Sequence, residues 1–571
     1  IVCEYNVAPG IRLYHFMDTM YLQYKENQGK GKGDNVKKEL LFSMCRQLAI
    51  LEQGNGMCLD GSEQVDDNLM GRMKAGEEKE EPIKYRTSGQ FEEDEFSSSH
   101  VMIEKIEASG HKSRWTQYYA TCAFGISWMI KGCLLNFVLA TKKSMSEDSS
   151  LNLTEKGSAW IEITTPVGAI TGSLISCFLL PRFGNKMTQF FFVDPIFIIG
   201  FITTALSPSE KQVIIGRILC GLAVGVANAS VVIFVCEIAE PCRRAALVSM
   251  LPFMLGIGLL GIVLLSYSHS WRQISLYCAE LSVLSMFVCL PCSDSPTWLL
   301  SRGRKEDALK SMKFYRGNLA ANDAELKQLK AFVRRDKKAK ETWRHMVKKQ
   351  NKYGLQMTLG AILLHELGGI NAVTFYAGDL IVDDVTNHYH VKMIHIVMGT
   401  IFILGYAIAV LTSDMMGRKR SLLISSMILG LAMFGLASFT FIGTHLAHQK
   451  IAGFSLFFII LYIIGFTLGY GSVVWVVTGE VFTPSLKYKG VAMGVALKWG
   501  IQLLIIFLFR IPAVKSDPVG LFEMFSIINI LGIFFGLYWI KEMTKKSLKE
   551  IQDLLQICYQ EEILEKSIDF L

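Results

Sequence analysis

Charged residues are scarce: only 19% of the 571 residues are Asp, Glu, Lys or Arg, against about 25% in soluble domains. With 51% hydrophobic residues and a mean hydropathy of +0.33, this composition excludes an ordinary soluble globule. The 13 cysteines are scattered, many of them inside apolar runs. They read as small apolar packers rather than a disulfide framework or a metal set. The stretch GKGKGDN (29–35) lacks the Gly-Lys-Ser/Thr ending of a phosphate loop. No nucleophile or metal constellation stands out. The expectation is therefore no enzyme, no cofactor, no metal and no nucleic-acid partner. The net charge of +7 is modest, and its placement carries more information than its size.

What the chain does have is apolar blocks about 20 residues long, the length of a membrane-crossing helix. They read as Tyr118–Ala140, Ser158–Leu180, Gln189–Leu206, Val213–Val235, Ala245–Ser266 and Ile274–Cys292. Six more follow: Leu355–Ile381, Ile394–Leu411, Leu422–Ile442, Phe454–Thr478, Val491–Phe509 and Val519–Ile540. The expected fold class is an all-α membrane protein with twelve transmembrane helices in two six-helix halves. The expected organisation is a solvated tail at 1–112, one half at 113–300, a helical linker at 301–353, the other half at 354–541 and a second tail at 542–571. In the linker, Ala308, Leu309, Met312 and Tyr315 recur at helical spacing.

Basic residues set the orientation. Arg182, Lys186, Arg243, Arg244, the 302–352 segment, Arg418–Arg420, Lys487 and Lys489 fall on one side, which is expected to be cytoplasmic with both termini. The sequon Asn152-Leu153-Thr154 falls on the other, where glycosylation takes place.

The halves repeat a pattern. Glu237 precedes Arg244 by seven residues, and Glu480 precedes Lys487 by seven, each across the turn between fourth and fifth helices. Phe183-Gly184-Asn185-Lys186 and Met416-Gly417-Arg418-Lys419 follow the second helix of each half, with Asp414 just before the latter. Duplicated halves related by an axis along the membrane normal are the expectation. Their charges would form a partly solvated lock, worth about a kcal/mol per pair, where the halves meet.

The candidate site is HELGGINAVTFYA, His365–Ala377. His365, Glu366 and Asn371 are costly at membrane depth unless they face a bundle interior or a wet cavity. Gly368 and Gly369 weaken the helix between them, as in the broken helices of transport sites. Lys131 is a cation inside the first span. Glu366 and Lys498 are expected to pair across the cavity, which spares two lone buried charges.

Taken in order, GRILCGLAVG (216–225), EIAEPCRR (237–244), SDSPTWLLSRGR (293–304), GGINAVTFYA (368–377), SDMMGRKR (413–420), GYGSVVWVVTGEVF (469–482) and KEMTKKSLKEI (541–551) resemble a known family. It is the sugar porter branch of the major facilitator superfamily, above all its insect facilitative trehalose and hexose transporters. The resemblance covers about Gln117–Leu555. It implies the major facilitator fold, a sugar as partner, a lipid bilayer around the helices and the plasma membrane as location. It implies that Asn371 bonds sugar hydroxyls and that Trp475 packs on the sugar face. Phe375 and Tyr376 would close the outer gate. Glu237, Arg244, Asp414, Arg418, Glu480 and Lys487 would form the gating network.

The departures are specific. His365-Glu366 stands where the family has Gln-Gln, and Lys498 where it commonly has Asn. Pro181 replaces an acid, Phe234 a Tyr, and Lys541 a Pro. The first span has no Asp or Glu, which favours a uniporter, with His365 and Glu280 as the candidates for proton coupling. The leading reading is a facilitative sugar transporter working by alternating access. The alternatives are a non-transporting sensor and a porter for a different, charged solute.

Overall fold

The computed structural model describes residues 89–151, 153–317, 321–338, 343–346, 349–371, 373–374, 388–446, 452–508 and 519–568. Among them every regular element is helical. The first half holds α1 (Gly89–Ser146), α2 (Glu155–Thr188), α3 (Asp194–Ala205), α4 (Glu210–Ile238), α5 (Arg244–Leu265) and α6 (Trp271–Val288). Four shorter helices follow: α7 (Pro296–Ser301), α8 (Lys305–Arg316), α9 (Ala321–Lys338) and α10 (Trp343–Met346). The second half holds α11 (Lys349–Leu367), α12 (His388–Met416), α13 (Arg418–Leu446), α14 (Ala452–Leu468), α15 (Val473–Glu480), α16 (Lys487–Leu508) and α17 (Val519–Tyr538), with α18 (Leu548–Ile568) at the end.

Nine helical stretches among the described residues are long and apolar enough to cross a membrane. One of them, Lys156–Ala205, contains both the second and third expected passes, joined at Gly184, whose φ is +78°. The sixth expected pass corresponds to α6. The seventh begins as α11 and leaves the described residues at 375. Asn152, Phe375 and Tyr376 lie outside the described residues.

Each half has its own apolar core. One joins α1–α6 with Ala308 and Tyr315 of α8. The other joins α11–α17 with Ile551 and Leu555 of α18. Trp475 and Trp499 of the second half pack into the first core. Between the halves, α2 packs on α16 and α5 on α12.

The duplicated turns share a geometry that the motifs only hinted at. Gly417 has a φ of +83°, matching Gly184. In the first half Asp294 accepts the Lys186 amide at 3.0 Å. In the second, Glu542 accepts the amides of Arg418 at 3.0 Å and Lys419 at 3.2 Å. Each acid follows the last long helix of its half and caps a helix start, where unpaired N–H groups favour an anion. Burial pushes the Asp294 carboxyl above its usual range, against the Lys186 amide bond and charge.

Candidate substrate site and charge lock

The α11 helix stops at Leu367, because the next turn is Gly368-Gly369 and Gly369 adopts a φ of +105°, a region that glycine enters without steric cost. Breaking a helix at membrane depth frees backbone groups that need partners. Here the Gly368 carbonyl accepts from Tyr462 Oη at 3.1 Å and Asn529 Nδ2 at 2.9 Å. A second break at 469–472 separates α14 from α15. Ser425 Oγ supports it by donating to the Gly465 carbonyl at 2.7 Å. The two breaks place His365, Glu366 and Asn371 opposite Trp475, around a cavity of about 170 Å³.

Glu366 is the polar centre of that cavity. Its Oε1 lies 2.9 Å from His365 Nδ1 and 3.4 Å from Lys498 Nζ. Its Oε2 accepts from Asn371 Nδ2 at 3.1 Å. A carboxylate only accepts, so His365 carries its proton on Nδ1. Lys498 Nζ also donates to Gln502 Oε1 at 2.5 Å. The expected Glu366–Lys498 pair therefore forms, inside a larger network.

Lys131 is differently placed. Its Nζ lies 4.1 Å from the Trp128 ring centroid, 5.2 Å from that of Trp475 and 5.9 Å from that of Trp499. Trp128 meets Trp475 edge to face at 5.1 Å. This is an aromatic cage around an ammonium, with one wall from the first half and two from the second. Lys131 is 2% exposed, and among the described residues no ion pair reaches it within 4 Å. A cation–π contact contributes roughly 0.5–2 kcal/mol, whereas burying an ion costs several kcal/mol. The cage offsets only part of that cost.

At the basic end of the bundle the halves are tied by ion pairs. Arg244 Nη1 lies 3.2 Å from Glu480 Oε1, and Lys487 Nζ lies 3.4 Å from Glu237 Oε1. The two acid–base repeats are thus exchanged: each half's acid pairs with the other half's cation. Arg418 Nη2 adds a second bond to Glu480 Oε1 at 2.9 Å. Asp414 lies 3.8 Å from Arg418 but chiefly caps the other half, accepting the Ala245 and Ala246 amides at 3.0 Å each. These side chains are not partly solvated, as the repeat implied. Arg244, Glu480, Lys487 and Glu237 are 0–3% exposed, because α4, α5, α15 and α16 converge on them.

Residues 113–555 match the family described as Sugar (and other) transporter. The chain belongs to that family. It is 27% identical over 444 residues to a facilitated trehalose transporter of Drosophila erecta, a match covering 77% of this chain and 52% of that protein. It is 26% identical over 466 residues to a facilitated trehalose transporter homolog of Drosophila sechellia, covering 80% and 94%. The chain spans about half the length of the first relatives it matches. Among solved structures it resembles the major facilitator superfamily proton:xylose symporter XylE bound to 6-bromo-6-deoxy-D-glucose. That likeness has a TM-score of 0.68 at 20% identity and covers 77% of this chain and 99% of that one. The fold is that of the major facilitator superfamily.

Within this fold, the cavity wall includes five residues expected from sequence: His365, Glu366, Asn371, Trp475 and Lys498. Glu280 is exposed on α6 and takes no part in it. Phe234 is buried against Phe124, with ring centroids 4.1 Å apart, and does not line the cavity. Sequence reasoning missed Trp128, Trp499 and Gln502. The signals were present: Trp128 precedes Lys131 by three residues and Gln502 follows Lys498 by four, spacings that share a helix face.

Proposed function

We propose that this chain moves a sugar, trehalose or a hexose, down its gradient by alternating access between its two halves. The observation that carries this reading is the cavity between the halves, held shut at the basic end by ion pairs that each join one half to the other. Cavity residues that reach away from that end, Leu139 and Leu259 among them, lie near the far ends of α1 and α5. Breaking the exchanged pairs would open the basic end, and closing the far end over the solute would complete the cycle. The names of the trehalose-transporter relatives support the substrate class. An aromatic face beside amide donors, Trp475 with Asn371, suits a pyranose ring with its C–H faces and hydroxyl rim.

Uniport is the proposed mode. The span Tyr118–Ala140 holds no acid, and the Glu366 carboxylate is already shared between His365, Lys498 and Asn371. We read the basic end as cytoplasmic, with both termini on that side, Asn152 as a glycosylation site on the other, and the plasma membrane as the location. Asn371, His365, Glu366, Trp475, Lys498, Phe375 and Tyr376 are proposed to contact or enclose the solute. Glu237, Arg244, Asp414, Arg418, Glu480 and Lys487 are proposed to gate it.

The test is uptake of labelled trehalose and glucose into oocytes, with surface expression measured separately. Saturable uptake that follows the gradient and ignores a protonophore and external pH is expected. Normal surface expression with neither sugar entering overturns the reading in favour of a non-transporting sensor or a porter for a charged solute.

A further inference from the structure

We propose that the cavity selects an organic monoanion of sugar build, a hexuronate or aldonate, whose carboxylate pairs with Lys131. This rests on the transport reading for the route but concerns what the cavity binds.

Among the described residues of the cavity wall, Lys131 and Lys498 are the cations, Glu366 is the one acid, and His365 and His395 are imidazoles. Glu366 is engaged by Lys498 at 3.4 Å and by His365 at 2.9 Å. Two ammoniums against one carboxylate leave one positive charge, and protonation of either histidine would add to it. Arg217 does not alter the balance toward an acid: it is a further cation, away from the cavity wall, with its Nη2 donating to the Leu134 carbonyl at 3.0 Å. The uncompensated charge sits on Lys131, which has ring faces on three sides and no acid within 4 Å among the described residues. Rings attract a cation without consuming its N–H donors, so an ammonium held this way still has donors to give a ligand.

The missing charge also has a size. One negative charge closes the balance, and a carboxylate supplies one. A phosphate monoester carries about −1.5 to −2 at neutral pH, and among the described residues the cavity wall has no arginine fork to receive it. The remaining wall fits the rest of a sugar. The Trp475 and Phe466 rings offer apolar faces, and Asn371 and Gln502 offer amide groups. On that wall the buried indole N–H of Trp128 has no hydrogen-bond acceptor among the described residues. Neutral hexoses leave the Lys131 charge uncompensated, and an amino sugar repels it.

The experiment uses the full chain purified into phosphatidylcholine liposomes, with labelled D-glucuronate, D-glucose and D-glucosamine. Binding is measured by scintillation proximity, and entry by filtration. Glucuronate is expected to bind at least about ten-fold more tightly than glucose, the size of one charge-assisted hydrogen bond, with glucosamine weakest. Lys131→Gln should erase the preference, while Lys131→Arg keeps it. Glucose binding as tightly as glucuronate overturns the proposal, and leaves the transport reading standing if glucose enters. Displacement of glucuronate by equimolar chloride or phosphate also overturns it, since that marks a bare anion site without sugar recognition. Binding of neither sugar nor anion by folded protein overturns it as well. Glucuronate binding with no entry of any probe sustains the inference and sinks the transport reading instead.

Discussion

A single residue, Glu366, organises the polar side of the cavity, because it is the carboxylate that Lys498, His365 and Asn371 share. Removing its charge leaves Lys498 buried beside an imidazole. Glu366→Gln should cost about 3–5 kcal/mol, the usual penalty for orphaning one partner of a buried pair. Adding Lys498→Met should recover most of that loss, read as the melting temperature of detergent-solubilised protein. If the double variant melts no higher than the single, the pair is not a unit. A second acid acts outside the membrane span. Asp148 is drawn down to about 2, first by the Ser150 hydroxyl and then, against a smaller rise from burial, by the Ser150 amide, Arg272 and Trp271. Its folded pKa lies below the usual 3.8, so its contribution to stability is complete above 3.8 and fades as pH falls toward 2. Asp148→Asn should lower the melting temperature at pH 7, and the gap to wild type should close between those limits. An equal gap at pH 2.5 and pH 7 would count against this bond set.

At the scale of elements, α4 is the helix around which the first half closes. Its glycines remove side chains where neighbouring backbones come closest, a device common between membrane helices. A Cβ at Gly225 would sit 2.2 Å from the Ala169 carbonyl oxygen of α2, and one at Gly216 would sit 2.7 Å from the Gly200 carbonyl oxygen of α3. Backbone atoms cannot swing aside as a flexible side chain can, so Gly225→Val should force α2 and α4 apart, with a loss of about 1–3 kcal/mol or more. Surface expression and melting temperature should both fall. Gly261→Ala in α5 is the control, since nothing lies within 4 Å of the added carbon. Equal expression of the two variants would refute the close-packing account.

On the scale of the whole molecule, the exchanged ion pairs couple the halves. Under the proposed alternating access, Arg244 with Glu480 and Lys487 with Glu237 separate as the basic end opens. A charge reversal at one position, Glu237→Lys, should abolish transport, and Lys487→Glu on top of it should restore a measurable fraction. Cys236 gives a direct reading of the same event. It is buried next to the lock, 2.2 Å from where a Cβ on Gly479 would stand. Arg244→Ala should therefore speed maleimide labelling of Cys236 several-fold as the closed population falls. Unchanged labelling would mean that the pair does not hold the two halves together. The tryptophan cage crosses the same divide, with Lys131 and Trp128 on one half and Trp475 and Trp499 on the other. Movement of the halves therefore alters the surroundings of the cavity's uncompensated charge.

Much of this was legible from residue order alone, and for a local reason. Span length, the side rich in Lys and Arg, and the weakness at Gly368-Gly369 depend on short stretches of chain, and hydropathy reports them directly. The Glu366–Lys498 pair could be inferred because two lone charges at membrane depth are too costly to leave apart. The exchange of the lock could not be. Each acid has a cation seven residues away, yet Arg244 bonds a partner 236 residues distant and Lys487 one 250 residues distant. The turn after α4 or α15 points acid and base in different directions, and only the meeting of the halves brings the right partners into reach. The same holds for Lys131. Its sequence neighbourhood marks it as an odd cation in an apolar span, whereas its surroundings are three indoles from three different helices. Burial of the lock is likewise a tertiary outcome: helix-end charges are solvated on isolated helices and lose water only where four helices converge.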